Sequence, residues 1–346
     1  MSLAEVVALV LWIGVSAYAV LGGADFGSGF WDLTAGGAKR GAWPRALVDL
    51  AIGSVWEANH VWLIFCLVVL WTAFSSAFVA ITTTLFVPLI LAAFGIILRG
   101  AGFAFRHATH EFRSRRLFGV AFAVSSVLTP FCMGAIAGAI VSGRVPAEPT
   151  GDPISSWINP TSVFAGLLAV ATCAFLAATF LVDEARRRSS PDLERYFERR
   201  GIAAGVVTGV LALAGVVVLH QDAELFFDRL LDRVVPLLVL SAVGGIGAIV
   251  MLVRHRPGPA RILAVLAVAS VVWGWGIGQF PDLLPGQLTI DQAAAPSATL
   301  WTLVLVVCLA VVFIGPALVL LFRLGQQSRL ESGELEAMAG ENVPPA

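Results

Sequence analysis

Apolar segments of about 20 residues recur from one end of this sequence to the other, and only short polar loops separate them. A helix of about 20 apolar residues is what the hydrocarbon core of a bilayer requires. No interval between the segments is long enough for a soluble domain of ordinary size. Only 13% of the residues are charged, against about 25% in soluble domains. The pattern therefore predicts an all-α integral membrane protein.

Hydropathy windows predict nine spans in a single transmembrane domain that covers residues 1–325. Eight of these spans are compatible with two four-helix bundles, and the ninth with a peripheral helix. Residues 326–346 form an acidic, polar tail that is predicted to be disordered. The predicted helices lie near residues 3–22, 51–73, 78–98, 118–141, 161–182, 202–219, 234–253, 262–280 and 299–322.

Lys and Arg are distributed very unevenly between the two sides of this arrangement. Nineteen of the 22 basic residues fall in the loops after spans one, three, five and seven or in the C-terminal tail. Basic residues in short loops are retained on the cytoplasmic side. The N-terminus is therefore predicted outside and the C-terminus in the cytoplasm. The sequence has no basic face large enough to indicate nucleic-acid binding.

Nothing in the cysteine or histidine pattern indicates a metal site. Cys66, Cys132, Cys173 and Cys308 lie inside apolar runs without any CxxC pair, as expected of membrane-core residues. Only His60, of five histidines, is well placed near a span. One histidine does not make a bis-His heme site, so we predict no metal or heme bound by this chain.

Three charged residues stand near the ends of the first three predicted spans. Asp25 follows span one, Glu57 begins the predicted span two and Arg99 follows span three. The topology places all three on the cytoplasmic side at similar depth. A charge at membrane depth costs at least about 2.5–3.5 kcal/mol, so each one suggests a function and a partner.

The segment WEANHVW places five polar or aromatic residues at the mouth of span two. At 100° per residue, Glu57, His60 and Trp56 share one helical face, and Asn59 lies a further 60° round. Trp62 and Trp56 are candidate membrane-interface anchors. A carboxylate and an imidazole here favour proton exchange or a position near a quinone. The alternative is that Glu57 merely stabilises a helix N-terminus while Arg99 extends to the interface.

Four segments resemble the successive signatures of subunit II of cytochrome bd-type quinol oxidases. They occur in the same order and at compatible spacing along the whole chain, which makes the combination specific. The segments are GGADFGSGF at 22–30, WEANHVWLI at 56–64, ILRGAGFAFRH at 97–107 and GIGQFPDLLPGQLTIDQAAAPSATL at 276–300.

The resemblance implies a heme-free subunit in a bacterial plasma membrane, paired as a heterodimer with a heme-bearing subunit I. Such a complex oxidises quinol and reduces oxygen to water with protons taken from the cytoplasm. Subunit II would support the assembly and contribute to proton or oxygen access. In some members of the family it also binds a structural quinone, and a small accessory single-span subunit is a further expected partner.

The resemblance also assigns roles to particular residues. Glu57 stands where the commoner pattern WDGN has the Asp that the family links to proton uptake. Asp25 matches the acid of the family's GFD, and Arg99 its arginine after span three. The chain departs from the pattern with Ala58 for Gly and His60 for Gln or Glu. The WEANH form is associated with the cyanide-insensitive branch, which leaves the partner's heme set open.

Two other functions remain open at the level of sequence. A proton-coupled secondary transporter would also use an acid inside a helix bundle, but the chain has no charge at the predicted midplane and no readable inverted repeat. A purely structural assembly subunit would carry the same helices without using Glu57, Asp25 or His60 for protons. Trp56, Asn59, Trp62 and Arg99 are predicted to support the structure of the site.

Overall fold

The computed structural model describes residues 1–52, 56–108, 112–148 and 150–327. In these ranges the chain is almost entirely helical, and a turn of π-helix at Leu230–Val234 joins two of the helices. The helices are α1 (Leu3–Thr34), α2 (Ala38–Ile52), α3 (Trp56–Ala73), α4 (Ser75–Thr84), α5 (Phe86–Ala108), α6 (Phe112–Val141), α7 (Pro160–Arg187), α8 (Pro191–Asp222), α9 (Glu224–Arg229), α10 (Val235–Val253), α11 (Pro257–Gln279), α12 (Ile290–Ala293) and α13 (Ser297–Gln327).

Several helices begin where the local sequence favours a start. Ser2 and Glu5 form a capping box at the start of α1. Asn159 accepts a hydrogen bond from the Ser162 N–H at the start of α7, and Pro160 occupies the first turn. Proline is favoured at that position because the N–H it lacks would have no partner inside the helix.

Eight helices in the described ranges are long and apolar enough to cross a membrane, and α3 with α4 forms a ninth candidate as a bent pair. The prediction of an all-α, multi-span membrane protein is confirmed. The side on which each end lies and the division into two four-helix bundles stay predictions. Of the predicted tail, residues 328–346 lie outside the described part of the chain.

The third span begins later than the hydropathy windows predict. The axes of α3 and α4 differ by 117°, and the break between them falls at Phe74. Phe74 has a non-helical backbone and a fully buried side chain that packs with Ala73 and Ala77. The membrane-length helix therefore starts at Phe86 rather than near residue 78. Residues 75–84 are as apolar as a span, so composition does not reveal the bend.

Other predicted boundaries are also wrong, always because a helix continues beyond its apolar stretch or a polar segment is helical. α1 extends through GGADFGSGF to Thr34 instead of ending near residue 22. Residues 38–52 form α2, although the sequence indicated only a basic loop before span two. The charged connector at 186–200 contains the first turns of α8, from Pro191 onward. Tertiary contacts stabilise these polar turns where hydropathy alone predicts none.

α1 lies at the centre of the helix packing. It contacts α3 and α6, and it also contacts α7 and α11. The largest buried cluster includes Trp31 of α1, Ala46 of α2 and Phe197 of α8, so α2 covers the end of α1 from which it follows. α13 packs against α1 and α3 and leaves most of its surface exposed.

The segment between α11 and α13 forms a compact surface structure. Strands β1 (Asp282–Leu284) and β2 (Leu288–Thr289) pair antiparallel, with Leu284 opposite Leu288. Asp282 accepts a hydrogen bond from Arg229, and the Ala295 N–H donates to the carbonyl of Ala73. These contacts hold the segment against α9 and the bend after α3.

Candidate functional site

α1 carries its polar residues on a face that is buried by other helices. Asp25 is 6% exposed and lies seven residues before Asp32, which is 4% exposed. Residues seven apart differ by only about 20° around a helix, so both point the same way. On the opposite side of α1, Gly27 lets α7 come close, because a Cβ on Gly27 would lie 1.8 Å from the carbonyl oxygen of Cys173.

Asp25 has a direct partner on α3. The Asn59 Nδ2 donates to Asp25 Oδ2 at 2.5 Å, and Asn59 is 3% exposed. Removing a carboxylate from water without a donor is costly, so this hydrogen bond helps to keep Asp25 in the helix core. The contact joins GGADFGSGF to WEANHVW in space.

Arg99 joins the same group from α5 and is 1% exposed. Its Nη2 donates to the backbone carbonyl of Asp25 at 2.7 Å, and its Nη1 donates to the hydroxyl of Ser126 on α6. The guanidinium carbon lies 4.5 Å from the ring centroid of Phe122 and 5.0 Å from that of Phe26. Two hydrogen bonds and two ring faces thus compensate for its loss of water. We call Asp25, Asn59, Arg99 and Ser126 the Asp25 cluster.

The other predicted site residues on α3 lie apart from this cluster or beside it. Glu57 is exposed and forms no ion pair with a described residue. It is 200° from Asn59 around the helix, so the two residues of one motif face nearly opposite ways. Burying Asn59 against Asp25 therefore leaves Glu57 outside, and the polar stripe expected from the sequence is divided.

His60, Trp62 and Trp56 are the remaining predicted site residues on α3. His60 is half-buried, with its ring centroid 5.8 Å from that of Phe26 and 6.1 Å from that of Tyr18. Trp62 is half-buried and contacts Phe65 edge-on at 6.2 Å. The side chain of Trp56 lies outside the described residues.

Sequence reasoning missed three contributors to the site. Ser126 and Phe122 lie inside an apolar run of α6, and no charge marked them. Tyr18 lies seven residues before Asp25 on α1. That heptad spacing from Tyr18 through Asp25 to Asp32 was the readable signal, because it places polar side chains on one face of a long apolar helix.

The four cysteines are all free thiols, and within the described ranges no group of three or more His, Cys, Asp or Glu side chains is arranged to hold a metal ion. The donors at the site are instead a carboxylate, an amide, a guanidinium and a hydroxyl. Such a set suits hydrogen bonding and proton exchange rather than coordination of heme iron.

The comparison with known families decides what kind of protein carries this site. The family described as cytochrome bd terminal oxidase subunit II matches residues 3–324. The chain belongs to this family. It is therefore a multi-pass membrane component of a terminal oxidase, as the four sequence signatures predicted.

Individual relatives agree with the assignment. The chain is 24% identical over 337 residues to "Cytochrome bd-I ubiquinol oxidase subunit 2" of Escherichia coli K12, an alignment that covers 86% of each chain. It is 23% identical over 249 residues to "Cytochrome bd ubiquinol oxidase subunit 2" of Bacillus subtilis 168, covering 70% of this chain and 71% of the relative.

A solved structure shares the fold. The bd oxidase from Geobacillus thermodenitrificans contains a chain that superposes with a TM-score of 0.73 at 23% identity. The match covers 94% of this chain and 98% of that chain. At this identity the similarity shows the arrangement of helices and leaves the roles of individual side chains to be argued from their contacts.

Proposed function

We propose that this chain is the heme-free subunit II of a bacterial bd-type oxidase that oxidises quinol and reduces oxygen to water. It pairs with a heme-bearing subunit I in the plasma membrane and gives protons from the cytoplasm access to the complex. The observation that carries the proposal is the Asp25 cluster, a carboxylate and a guanidinium fully buried among membrane helices. Placing such groups at membrane depth costs about 2.5–3.5 kcal/mol each, which favours a functional use.

The chemistry of the cluster suits proton access. Among the described residues, Asn59 supplies the only side-chain donor to the Asp25 carboxylate. A carboxylate held by an amide accepts and releases a proton without breaking the surrounding helices. Arg99 stays charged throughout and balances the anionic form of Asp25. A secondary transporter is disfavoured, because neither the family nor the positions of the charges support one. A purely structural subunit remains the competing function.

The exposed face of α3 supports contact with subunit I. Glu57 begins a row of exposed side chains at positions 57, 61, 64, 68 and 71, which lie on one face of the helix. Ile64 is 61% exposed and Trp71 is 64% exposed. We call this row the α3 stripe. A carboxylate at the end of a stripe that faced lipid would be unfavourable, whereas a polar group of a partner subunit would satisfy it.

The assignment to subunit II also indicates which cofactors and further partners are expected. The hemes of the complex are assigned to subunit I, as the resemblance to subunit II of such oxidases implies. The N-terminus lies outside and the C-terminus in the cytoplasm, which places the Asp25 cluster toward the proton source. A structural quinone in this chain and a small single-span accessory subunit are compatible with the family and are part of the proposal.

Proton uptake by the purified complex in liposomes tests the proposal. We expect Asp25→Asn and Glu57→Gln to lower the rates of proton uptake and oxygen reduction together while the heme spectrum is retained. Asp228→Asn, which alters an exposed acid in α9, serves as the matched control. Wild-type rates in both variants of an intact complex would support the purely structural alternative.

Copurification tests the proposed interface. Ile64→Asn on the α3 stripe is expected to reduce recovery of the heme-bearing subunit. Ile246→Asn on α10 provides the control, because Ile246 is similarly exposed at 64% but lies away from α3. Equal loss of the partner in both variants would contradict an interface on the α3 stripe.

A further inference from the structure

α8 carries two exposed arginines on the same face as a row of exposed apolar side chains. Positions 195, 199, 206, 210, 213 and 217 lie within about 80° of one another around the helix, at 100° per residue. Leu213 is 74% exposed, and α8 is the least buried of the eight candidate single-helix spans in the described ranges. An apolar surface of this kind on a membrane helix faces acyl chains or another membrane helix. We call Val206, Val210, Leu213 and Val217 the α8 stripe.

α10 repeats this arrangement beside α8. Its exposed apolar side chains continue to the last residue of the helix, Val253, which is 59% exposed. Arg254 follows directly, and both Arg254 and Arg256 are exposed. The two helices pack closely near these ends, because a Cβ on Gly201 of α8 would lie 3.0 Å from the Leu252 side chain of α10. The exposed apolar surfaces of both helices therefore end at arginines on the same side of the chain.

A contact between Glu198 and His255 holds the two arginine-bearing segments together. Nδ1 of His255 lies 2.9 Å from Oε2 and 3.0 Å from Oε1 of Glu198, and Glu198 is 4% exposed. Arg186 of α7 donates to the carbonyl of His255 at 2.7 Å. Arginines adjoin both partners of the contact in the sequence, so burial of the acid leaves basic side chains at the surface. We call Arg195, Arg199, Arg254 and Arg256 the cytoplasmic arginine cluster.

The position of the cytoplasmic arginine cluster favours a phospholipid over subunit I as its partner. α3, which carries the proposed contact with subunit I, packs against α1, α4 and α13, whereas α8 packs against α7, α9 and α10. The predicted topology places the cluster at the cytoplasmic leaflet, whose anionic lipids attract basic side chains. A guanidinium group binds phosphate through paired N–H donors. Asp192, an exposed acid, lies three residues before Arg195 and farther from the α8 stripe.

We propose that the cytoplasmic arginine cluster and the α8 stripe together bind an anionic phospholipid of the cytoplasmic leaflet. The headgroup phosphate lies between the arginines of α8 and those that follow α10, and an acyl chain lies along the α8 stripe. From Arg199 to Val210 the helix rises about 16 Å, close to the hydrocarbon depth of one leaflet, about 15 Å. One lipid therefore reaches both the cluster and the stripe, and its phosphate joins the ends of two neighbouring helices.

Native mass spectrometry of the complete complex in detergent, titrated with phosphatidylglycerol, tests the proposal. Each basic side chain beside an anionic headgroup contributes about fivefold to affinity, so Arg199→Gln/Arg254→Gln should bind this lipid about 25-fold more weakly than the wild type. Arg199→Lys/Arg254→Lys keeps both charges and should bind it more tightly than the glutamine variant. The matched control, Lys39→Gln/Arg40→Gln, removes two exposed charges from α2 and should bind like the wild type.

Other results would overturn the lipid site. Equal loss of phosphatidylglycerol from the two glutamine variants would mean that surface charge in general attracts the lipid. Binding of inorganic phosphate as tight as that of phosphatidylglycerol would indicate a site for a free anion. Loss of subunit I from Arg199→Gln/Arg254→Gln, with lipid binding unchanged, would indicate a protein contact. The site uses no residue of the Asp25 cluster, so its failure would leave the proposed proton access standing.

Discussion

Replacing Gly27 with alanine would separate the two helices that form the centre of the fold. An ideal Cβ at this position lies 1.8 Å from the carbonyl oxygen and 2.3 Å from the carbonyl carbon of Cys173. Both atoms belong to the backbone of α7, so no side-chain rotation relieves the overlap. α1 would have to retreat from α7 by about 1.2–1.6 Å to restore an ordinary contact.

The energetic cost follows from that displacement. Trp31 lies one turn beyond Gly27 and donates from Nε1 to the carbonyl of Ala174 at 2.9 Å, a distance that would then exceed hydrogen-bonding range. Loss of this buried hydrogen bond costs about 1 kcal/mol and the overpacking about 1–3 kcal/mol. We therefore expect a destabilisation of about 2–4 kcal/mol, together with displacement of Asp25 two residues away.

Thermal denaturation of the purified complex measures this effect. The apparent Tm of Gly27→Ala should fall by roughly 5 °C or more, with earlier loss of the heme signal. Gly209→Ala makes the same substitution in α8, where an added Cβ meets nothing within 4 Å. Because alanine favours helix over glycine, the control should keep or slightly raise the Tm. Equal Tm values for the two variants would refute the argument from close packing.

Two further predictions concern other buried polar contacts. Asp222 accepts hydrogen bonds from Arg144 at 2.6 and 3.0 Å and from the N–H and hydroxyl of Thr161, so Asp222→Ala should destabilise the complex by about 2 kcal/mol, seen as a lower apparent Tm. An unchanged Tm would show that this end of α8 is held by other contacts. Arg99→Lys keeps the charge but loses the planar fork and the ring stacking, so oxygen reduction should fall in complexes that still contain heme. Full activity would show that charge alone is required at this position.

The candidate site could be predicted only in part. The sequence indicated that Asp25 and Arg99 lie at similar depth on neighbouring helices, and the structure brings them into contact. It also suggested that Glu57, His60 and Trp56 share a face near the same point. A helical period defines which residues share a face, but it does not say which face turns inward. The hydrogen bond between Asn59 and Asp25 settles that orientation and leaves Glu57 exposed.

The boundaries of the helices could also be predicted only in part. Hydropathy located the long apolar spans, yet it ended α1 near residue 22 and gave no sign of α2. Polar residues such as Asp32 and Asp49 remain in helices because neighbouring elements bury them, as their low exposure shows. The bend at Phe74 likewise accompanies burial of that side chain in a cluster that includes Val7 and Leu11 of α1, which no local pattern encodes.

The sequence by itself determined that this chain is a helical protein with many membrane spans, because a bilayer offers no partner for exposed backbone groups and so allows only helices across such apolar segments. Its ordered signatures also identified the family. Only the tertiary structure decided that Asn59 rather than Glu57 meets Asp25, and that glycines bring α1 against α7. Those outcomes depend on contacts between residues far apart in the chain, where one buried hydrogen bond or one missing Cβ selects among faces that the sequence leaves equivalent.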